Sequence, residues 1–391
     1  MSADPGSSIG FVSTFPPTVC GIASYTASVV KAIGGGTPRK RLGVVSLSDD
    51  PPAKRQSPVV FGHRTGNRAS LRTTTAILNM YDTVSVQHEF GIYGGRDGNE
   101  VLDLVSDLTV PTAVTLHTVL SHPTPNQRSI TETLCDLATH IVVMSETASS
   151  RLVDLYGVEP HRISVIAHGA DRAFAGPSLE VGDRPLLMTW GLIGPGKGFE
   201  WAIRAFAGLT DMRPLPRYLI AGATHPNVRR ESGEAYRASL VALTDELGLN
   251  EVIEFDDRFL ERPDLARLVR SAAVVVLPYK SAEQVTSGVL VEAIAASKPV
   301  VATPFPHAVE LLAGGAGAIV PFDDPDTLGA TIRQILTDTS TRSQMTERAG
   351  QLATDWYWPT IGGQLDSLMS GLTASYDPHA KLIAGRHFVA G

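Results

Sequence analysis

Charged side chains at apolar segment ends are where chemistry can begin in this chain. Glu292 lies one turn inside Gly288–Ala296, a stretch that reads as a helix. Its neighbours Leu290, Val291, Ala293 and Ile294 are apolar nearly all round, so the helix should be buried and its carboxylate should need a partner. A helix starting at Gly288 aims free N–H groups and its positive dipole end beyond the preceding strand, a ready site for phosphate. From one turn in, Glu292 can accept two hydrogen bonds from a ribose diol while a diphosphate lies on the helix start. The polar loop Lys280–Ser287 before it carries Glu283, Gln284 and Ser287. Two β-branched runs, Ala273–Tyr279 and Pro299–Pro304, flank the unit and read as buried parallel strands.

A second cation-bearing loop runs from Trp190 to Gly198 and holds Gly191, Gly194, Gly196 and Lys197. The spacing of Gly191 and Gly196-Lys197 approaches a P-loop. Gly198 follows the lysine, however, and has no hydroxyl for Mg²⁺, which sets an NTPase aside. Arg229 and Arg230 follow a strand ending at Gly222, and Arg258 follows one ending at Asp257; all three are further phosphate cations to consider. In the amino half, Gly21 opens an apolar helix after the first strand, where glycine allows close backbone approach to a ligand. His117 ends the run Ala113–Leu116, at a strand edge where doubly wound folds put ligands. His88-Glu89 begins like HExxH, but Ile92 stands where the second histidine belongs, so metalloprotease chemistry is out. The glycine-rich loop after that pair could border an acceptor.

Composition narrows the class. The chain has 391 residues, enough for two domains, with 43% hydrophobic and 19% charged residues. A net charge of −7 argues against non-specific nucleic-acid binding. Cys20 and Cys135 are too few for a disulfide framework or a cysteine metal site, and the cytoplasm is the expected compartment. Met1–Ser8 lacks a basic region and Ile9–Phe15 is short for a signal peptide. No stretch approaches the roughly 20 apolar residues of a membrane span. The basic runs Arg39-Lys40-Arg41 and Lys54-Arg55 leave peripheral contact with the inner face of a membrane open.

Strand candidates alternate with helical patterns throughout. Seven fall in the amino half: Ile9–Phe15, Leu42–Leu47, Pro58–His63, Thr83–Glu89, Thr112–His117, His140–Ser145 and Ile163–His168. Six follow: Leu186–Gly191, Arg217–Gly222, Val252–Asp257, Ala273–Tyr279, Pro299–Pro304 and Gly317–Phe322. Such alternation predicts an α/β chain of two doubly wound parallel-sheet domains. The expected division is an amino-terminal domain over 1–172, a linker over 173–184 and a second domain over 185–355. A last helix from about 356 is expected to pack back on the first domain, and 373–391 is left unassigned.

The segment from Gln284 to Val301 resembles the nucleotide-sugar site of family-4 retaining glycosyltransferases of the GT-B fold, with a mannosyltransferase-like look. Their pattern is E-x7-E followed by A-x-A-x-G-x-P-V-V. Here Glu292 is the second glutamate, Gln284 takes the first glutamate's place, Glu283 sits one residue early, and Ser297 stands at the usual glycine. The resemblance runs from about Ile9 to Trp358 and implies two Rossmann-like domains facing a central cleft. It also implies that Lys197 neutralises the donor phosphates, and that His117 and the Gln284 position contact the donor sugar. The Gly21 loop would then face the diphosphate. An arginine usual five residues before the lysine is Leu192 here. The implied activity is metal-independent, retaining hexosyl transfer from GDP-mannose or UDP-glucose, with no cofactor, to a glycan, glycolipid or small-molecule acceptor. The rival expectation is a catalytically weak or inactive nucleotide-sugar-binding protein, suggested by Gln284 and Leu192.

Overall fold

The structure is a computed structural model, and it describes residues 8–36, 40–52, 56–179, 182–258 and 260–376. Arg39, Lys54, Arg55, part of the 173–184 segment and the end of the 373–391 tail lie outside the described residues. The chain divides into two compact units, one holding residues up to Ala167 and those from Pro359, the other His168–Trp358.

The amino-terminal unit contains β1 (Ile9–Ser13), β2 (Leu42–Ser48), β3 (Val59–Arg64), β4 (Thr83–His88), β5 (Thr112–Leu116), β6 (His140–Val143) and β7 (Ile163–Val165). They form one sheet of order β3-β2-β1-β4-β5-β6-β7, with every pairing parallel. The central strands β1, β4 and β5 are buried at every residue, whereas the edge strands β3 and β7 are partly exposed. That is why the central strands read as unbroken apolar runs. β3 begins at Val59 rather than Pro58, because proline has no N–H to give the ladder.

The second unit contains β8 (Leu186–Trp190), β9 (Arg217–Ala221), β10 (Ile253–Asp256), β11 (Val274–Leu277), β12 (Val300–Ala302) and β13 (Gly317–Ile319). Their order, β10-β9-β8-β11-β12-β13, is again wholly parallel. Alternate residues feed two cores. Met188, Trp190, Val275 and Leu277 join one hydrophobic cluster, while Leu187, Val274, Val276 and Val301 join the other. β13 is shorter than its apolar run; after Val320 donates to the Ala302 carbonyl at 2.9 Å, Pro321 ends the pairing.

In both sheets the strand order reverses beside the first strand, between β1 and β4 and between β8 and β11. Crevices at the carboxyl ends of strands at such reversals are the ligand sites of doubly wound folds. At the end of the second unit, Ala170 bridges Tyr357, with Ala170 N–H donating to the Trp356 carbonyl at 2.7 Å. The helix Trp358–Ser375 follows, and on the amino-terminal unit Gly362 lies against Ala32 while Lys40 pairs with Asp366.

Candidate donor site at the second sheet's reversal

Three loops at the carboxyl edge of the second sheet are stitched together through their backbones. Gly191 N–H donates to the Ala221 carbonyl at 3.0 Å, Ile193 N–H to Ala223 at 2.9 Å, and Lys280 N–H to Gly196 at 2.9 Å. Two glycines make this possible. Gly198 has φ +67 and a Cβ there would stand 1.8 Å from the Pro278 carbonyl oxygen; Gly222 has φ +138 and a Cβ would stand 2.0 Å from the Gly191 carbonyl oxygen. Only glycine adopts such backbone with nothing in the way.

Lys197 projects from the first of these loops. Its Nζ lies 3.4 Å from Gln284 Oε1 and 4.0 Å from the Tyr279 ring centre. Neither neighbour carries a negative charge, and burial lowers the ammonium pKa to about 8. The structure thus brings together two residues that lie 87 positions apart.

The Gln284 loop is fixed by a histidine that no local sequence pattern marks out. His307 Nδ1 accepts from the Ser287 N–H at 2.8 Å, and His307 N–H donates to the Gln284 carbonyl at 3.4 Å. Burial lowers the His307 pKa to about 3, so the ring stays a neutral acceptor. Ser287 then caps the helix Gly288–Ala295, its hydroxyl accepting from the Leu290 N–H at 3.3 Å. Gly288 is needed where it stands, because a Cβ would come within 2.9 Å of the His168 ring. Glu283 is half-buried in the same loop.

Glu292 is 7% exposed, on a helix whose other residues from Leu290 to Ala295 are also buried. Its carboxylate has partners. Oε2 accepts from the Trp190 indole N–H at 2.9 Å, and Oε1 pairs with the Arg262 guanidinium. Arg262 opens the helix Arg262–Ser271 and stacks over Phe174 at 5.2 Å. No local pattern marks Arg262 out; it lies 30 positions from Glu292 and becomes relevant only once the sheet is assembled.

The other arginines are differently placed. Arg258 is bonded to Asp256 at 2.6 and 2.9 Å, so its charge is already answered. Arg229 sits 3.4 Å from Glu234, and Arg229 and Arg230 are both exposed on the short helix Pro226–Ser232. In the amino-terminal unit, His117 Nε2 pairs with Gln87 Oε1 at 2.9 Å and its ring meets Tyr25 edge-on at 4.9 Å. Gly21 opens the helix Gly21–Gly36, and an added Cβ there meets nothing within 4 Å, so packing does not require glycine. Among the described residues, no three His, Cys, Asp or Glu side chains are grouped to hold a metal ion, and no helix is long and apolar enough to cross a membrane.

Two wholly parallel, doubly wound sheets, with the candidate site at the reversal of the second, are the architecture of the GT-B fold. Solved structures bear out the fold. Sucrose-phosphate synthase from Thermosynechococcus elongatus superposes with a TM-score of 0.75 at 18% identity, over 95% of this chain and all of that one. Anabaena HepE, solved with UDP and glucose, gives 0.72 at 17% identity over 93% of this chain and all of its own. Residues 172–352, which include Lys197, Gln284 and Glu292, match the family described as Glycosyl transferases group 1. The D-inositol 3-phosphate glycosyltransferase of Mycobacterium sp. (strain KMS) is 34% identical over 227 residues, 55% of this chain and 48% of that one. The chain thus spans about half the length of the curated relatives it matches in this way.

Proposed function

We propose that the protein is a retaining glycosyltransferase that moves a hexosyl group from a nucleotide sugar to an acceptor hydroxyl. The observation that carries this reading is the convergence of Lys197, Gln284 and the capped start of the Gly288 helix at one strand reversal, with Glu292 one turn inside. The hard step in such a transfer is the departure of a nucleoside diphosphate. Lys197 and the helix N–H groups supply fixed positive potential where that charge develops. Glu292 already accepts one bond at each oxygen, and a carboxylate has about four lone-pair directions, which leaves room for a ribose diol. The two protein hydrogen bonds would hold it in place for that purpose.

In this reading the acceptor binds on the amino-terminal unit, where His117 and Gly21 are the residues to substitute, and Gln284 of the second unit meets the donor sugar. The leaving phosphate itself takes the acceptor proton, and no metal or cofactor takes part. UDP-glucose and GDP-mannose are the donors to try, the first supported by the UDP and glucose of HepE. Glycans, glycolipids and small hydroxylated molecules are the acceptors to consider, with contact to the inner face of a membrane for a lipid one.

The second reading, a nucleotide-sugar-binding protein with weak or no turnover, is favoured by the neutral Gln284 beside Lys197 and by Leu192. A melting-temperature panel of nucleotides and sugar nucleotides, followed by turnover with whichever ligand stabilises the protein, tests both. Stabilisation with turnover supports the enzyme, and stabilisation without it supports the binding protein. No stabilisation by any sugar nucleotide overturns the proposal.

A further inference from the structure

The pair His88-Glu89, which has no metal spacing, stands at the carboxyl end of β4, beside β1, where the amino-terminal sheet reverses. A ligand of that unit is expected in this crevice. Glu89 is half-buried there. Its Oε1 accepts from the Phe90 N–H at 3.0 Å and its Oε2 from the Thr118 hydroxyl at 2.5 Å. Two lone-pair directions are used and about two remain.

His88 is fully buried, its ring 5.0 Å from Phe90 and 6.5 Å from Tyr93, and neither ring nitrogen has a hydrogen-bond partner among the described residues. Burial lowers its pKa to about 4, so it is neutral, and burial raises the Glu89 carboxyl above its ordinary value. A second carboxylate, Glu100, fixes the loop beyond by accepting from the Gly66 and Gly94 N–H groups, each at 2.9 Å. Among the described residues, Arg64 pairs with Asp50, Arg96 with Asp97 and Arg128 with Glu132, while Arg151 donates to the Val119 carbonyl and keeps its charge.

We propose that Glu89 grips the acceptor through adjacent hydroxyls, and that the acceptor group held there is a neutral sugar or polyol rather than a phosphate monoester. This rests on the glycosyltransferase reading with the acceptor on the amino-terminal unit. Two neighbouring hydroxyls can donate to the remaining lone pairs of one carboxylate. A phosphate would bring about two negative charges against that carboxylate, or require it to take up a proton. On this account the chain differs from relatives named for D-inositol 3-phosphate.

The test uses the full chain, UDP-glucose and GDP-mannose as donors, and matched acceptors: inositol and D-inositol 3-phosphate, fructose and fructose 6-phosphate, glucose and glucose 6-phosphate. Wild type should favour the neutral member of the pair it uses by about tenfold or more in kcat/KM. Glu89→Gln should raise the acceptor KM about tenfold and shrink that preference. Glu89→Asp, which keeps the charge but shortens the reach, should raise the acceptor KM and keep the preference. In both variants the melting shift given by a nucleoside diphosphate should match that of wild type. A preference for the phosphorylated member, no transfer to any neutral member, or an unchanged acceptor KM in both folded variants overturns the assignment. A wild type that no nucleoside diphosphate stabilises would instead remove the glycosyltransferase reading beneath it.

Discussion

Lys197 shows how a single residue's surroundings set its use. A lysine facing a glutamate would spend its charge on that partner; beside the neutral Gln284 amide and the Tyr279 ring, its ammonium keeps the charge for a ligand. The native group is protonated below a pKa of about 8 and loses its charge as pH rises through that value. Nucleoside diphosphate affinity, measured by titration calorimetry, should therefore be level below about pH 7 and fall towards about tenfold per unit above pH 8. Lys197→Met should bind more weakly and lose the step. A wild-type profile flat to pH 9.5 would place the phosphates on other cations. Glu292 is tested by ligand series. If it holds the ribose, Glu292→Ala should weaken nucleoside, nucleoside diphosphate and sugar nucleotide alike by roughly 10- to 150-fold, since bonds to a charged group contribute about 1.5–3 kcal/mol. A purely structural carboxylate would lower the melting temperature and leave affinity per folded molecule unchanged. Glu292→Ala also leaves Arg262 without its partner, so the melting curve must accompany the titration.

At the scale of elements, the loops around the site depend on backbone that ordinary residues resist. Gly198→Ala places a side chain at φ +67 and against the Pro278 carbonyl. It should cost about 1–3 kcal/mol of stability by chemical denaturation and weaken nucleoside diphosphate binding, because the loop carrying Lys197 must shift. Unchanged affinity in the folded variant would show that the loop position does not matter to the ligand. The other end of the Gly288 helix offers the reverse case. Ser297 follows it with φ +54, a left-handed conformation that costs a side chain about 1–2 kcal/mol. Ser297→Gly should gain up to about 1 kcal/mol, after allowing for the extra freedom glycine has in the unfolded chain. Destabilisation would mean that contacts of the Ser297 side chain, which faces Gly350, outweigh the strain.

For the whole molecule, the useful prediction concerns metals. The proposed chemistry uses lysine and helix N–H groups on the diphosphate, so turnover in EDTA should equal turnover with Mg²⁺. A strict metal requirement would overturn that part of the mechanism. The sequence alone determined the architecture: thirteen apolar runs alternating with helical patterns correspond, among the described residues, to thirteen parallel strands in two sheets. Period and burial are local properties, and a strand buried on both faces must be apolar throughout, so one-dimensional pattern suffices. Strand ends were less legible, because the ladder stops where a proline lacks its donor, as at Pro58 and Pro321. The buried Glu292 helix was legible for the same reason, as was its need for a partner. The partner's identity was not. Trp190, Arg262 and His307 reach the site from segments 102 and 30 residues from Glu292 and 20 from Ser287. Only the winding order of the sheet brings their strand ends together. The same assembly decided that Lys197 would meet a neutral amide. Charge and hydrogen-bond partners depend on distances across the fold, which spacing along the chain does not encode.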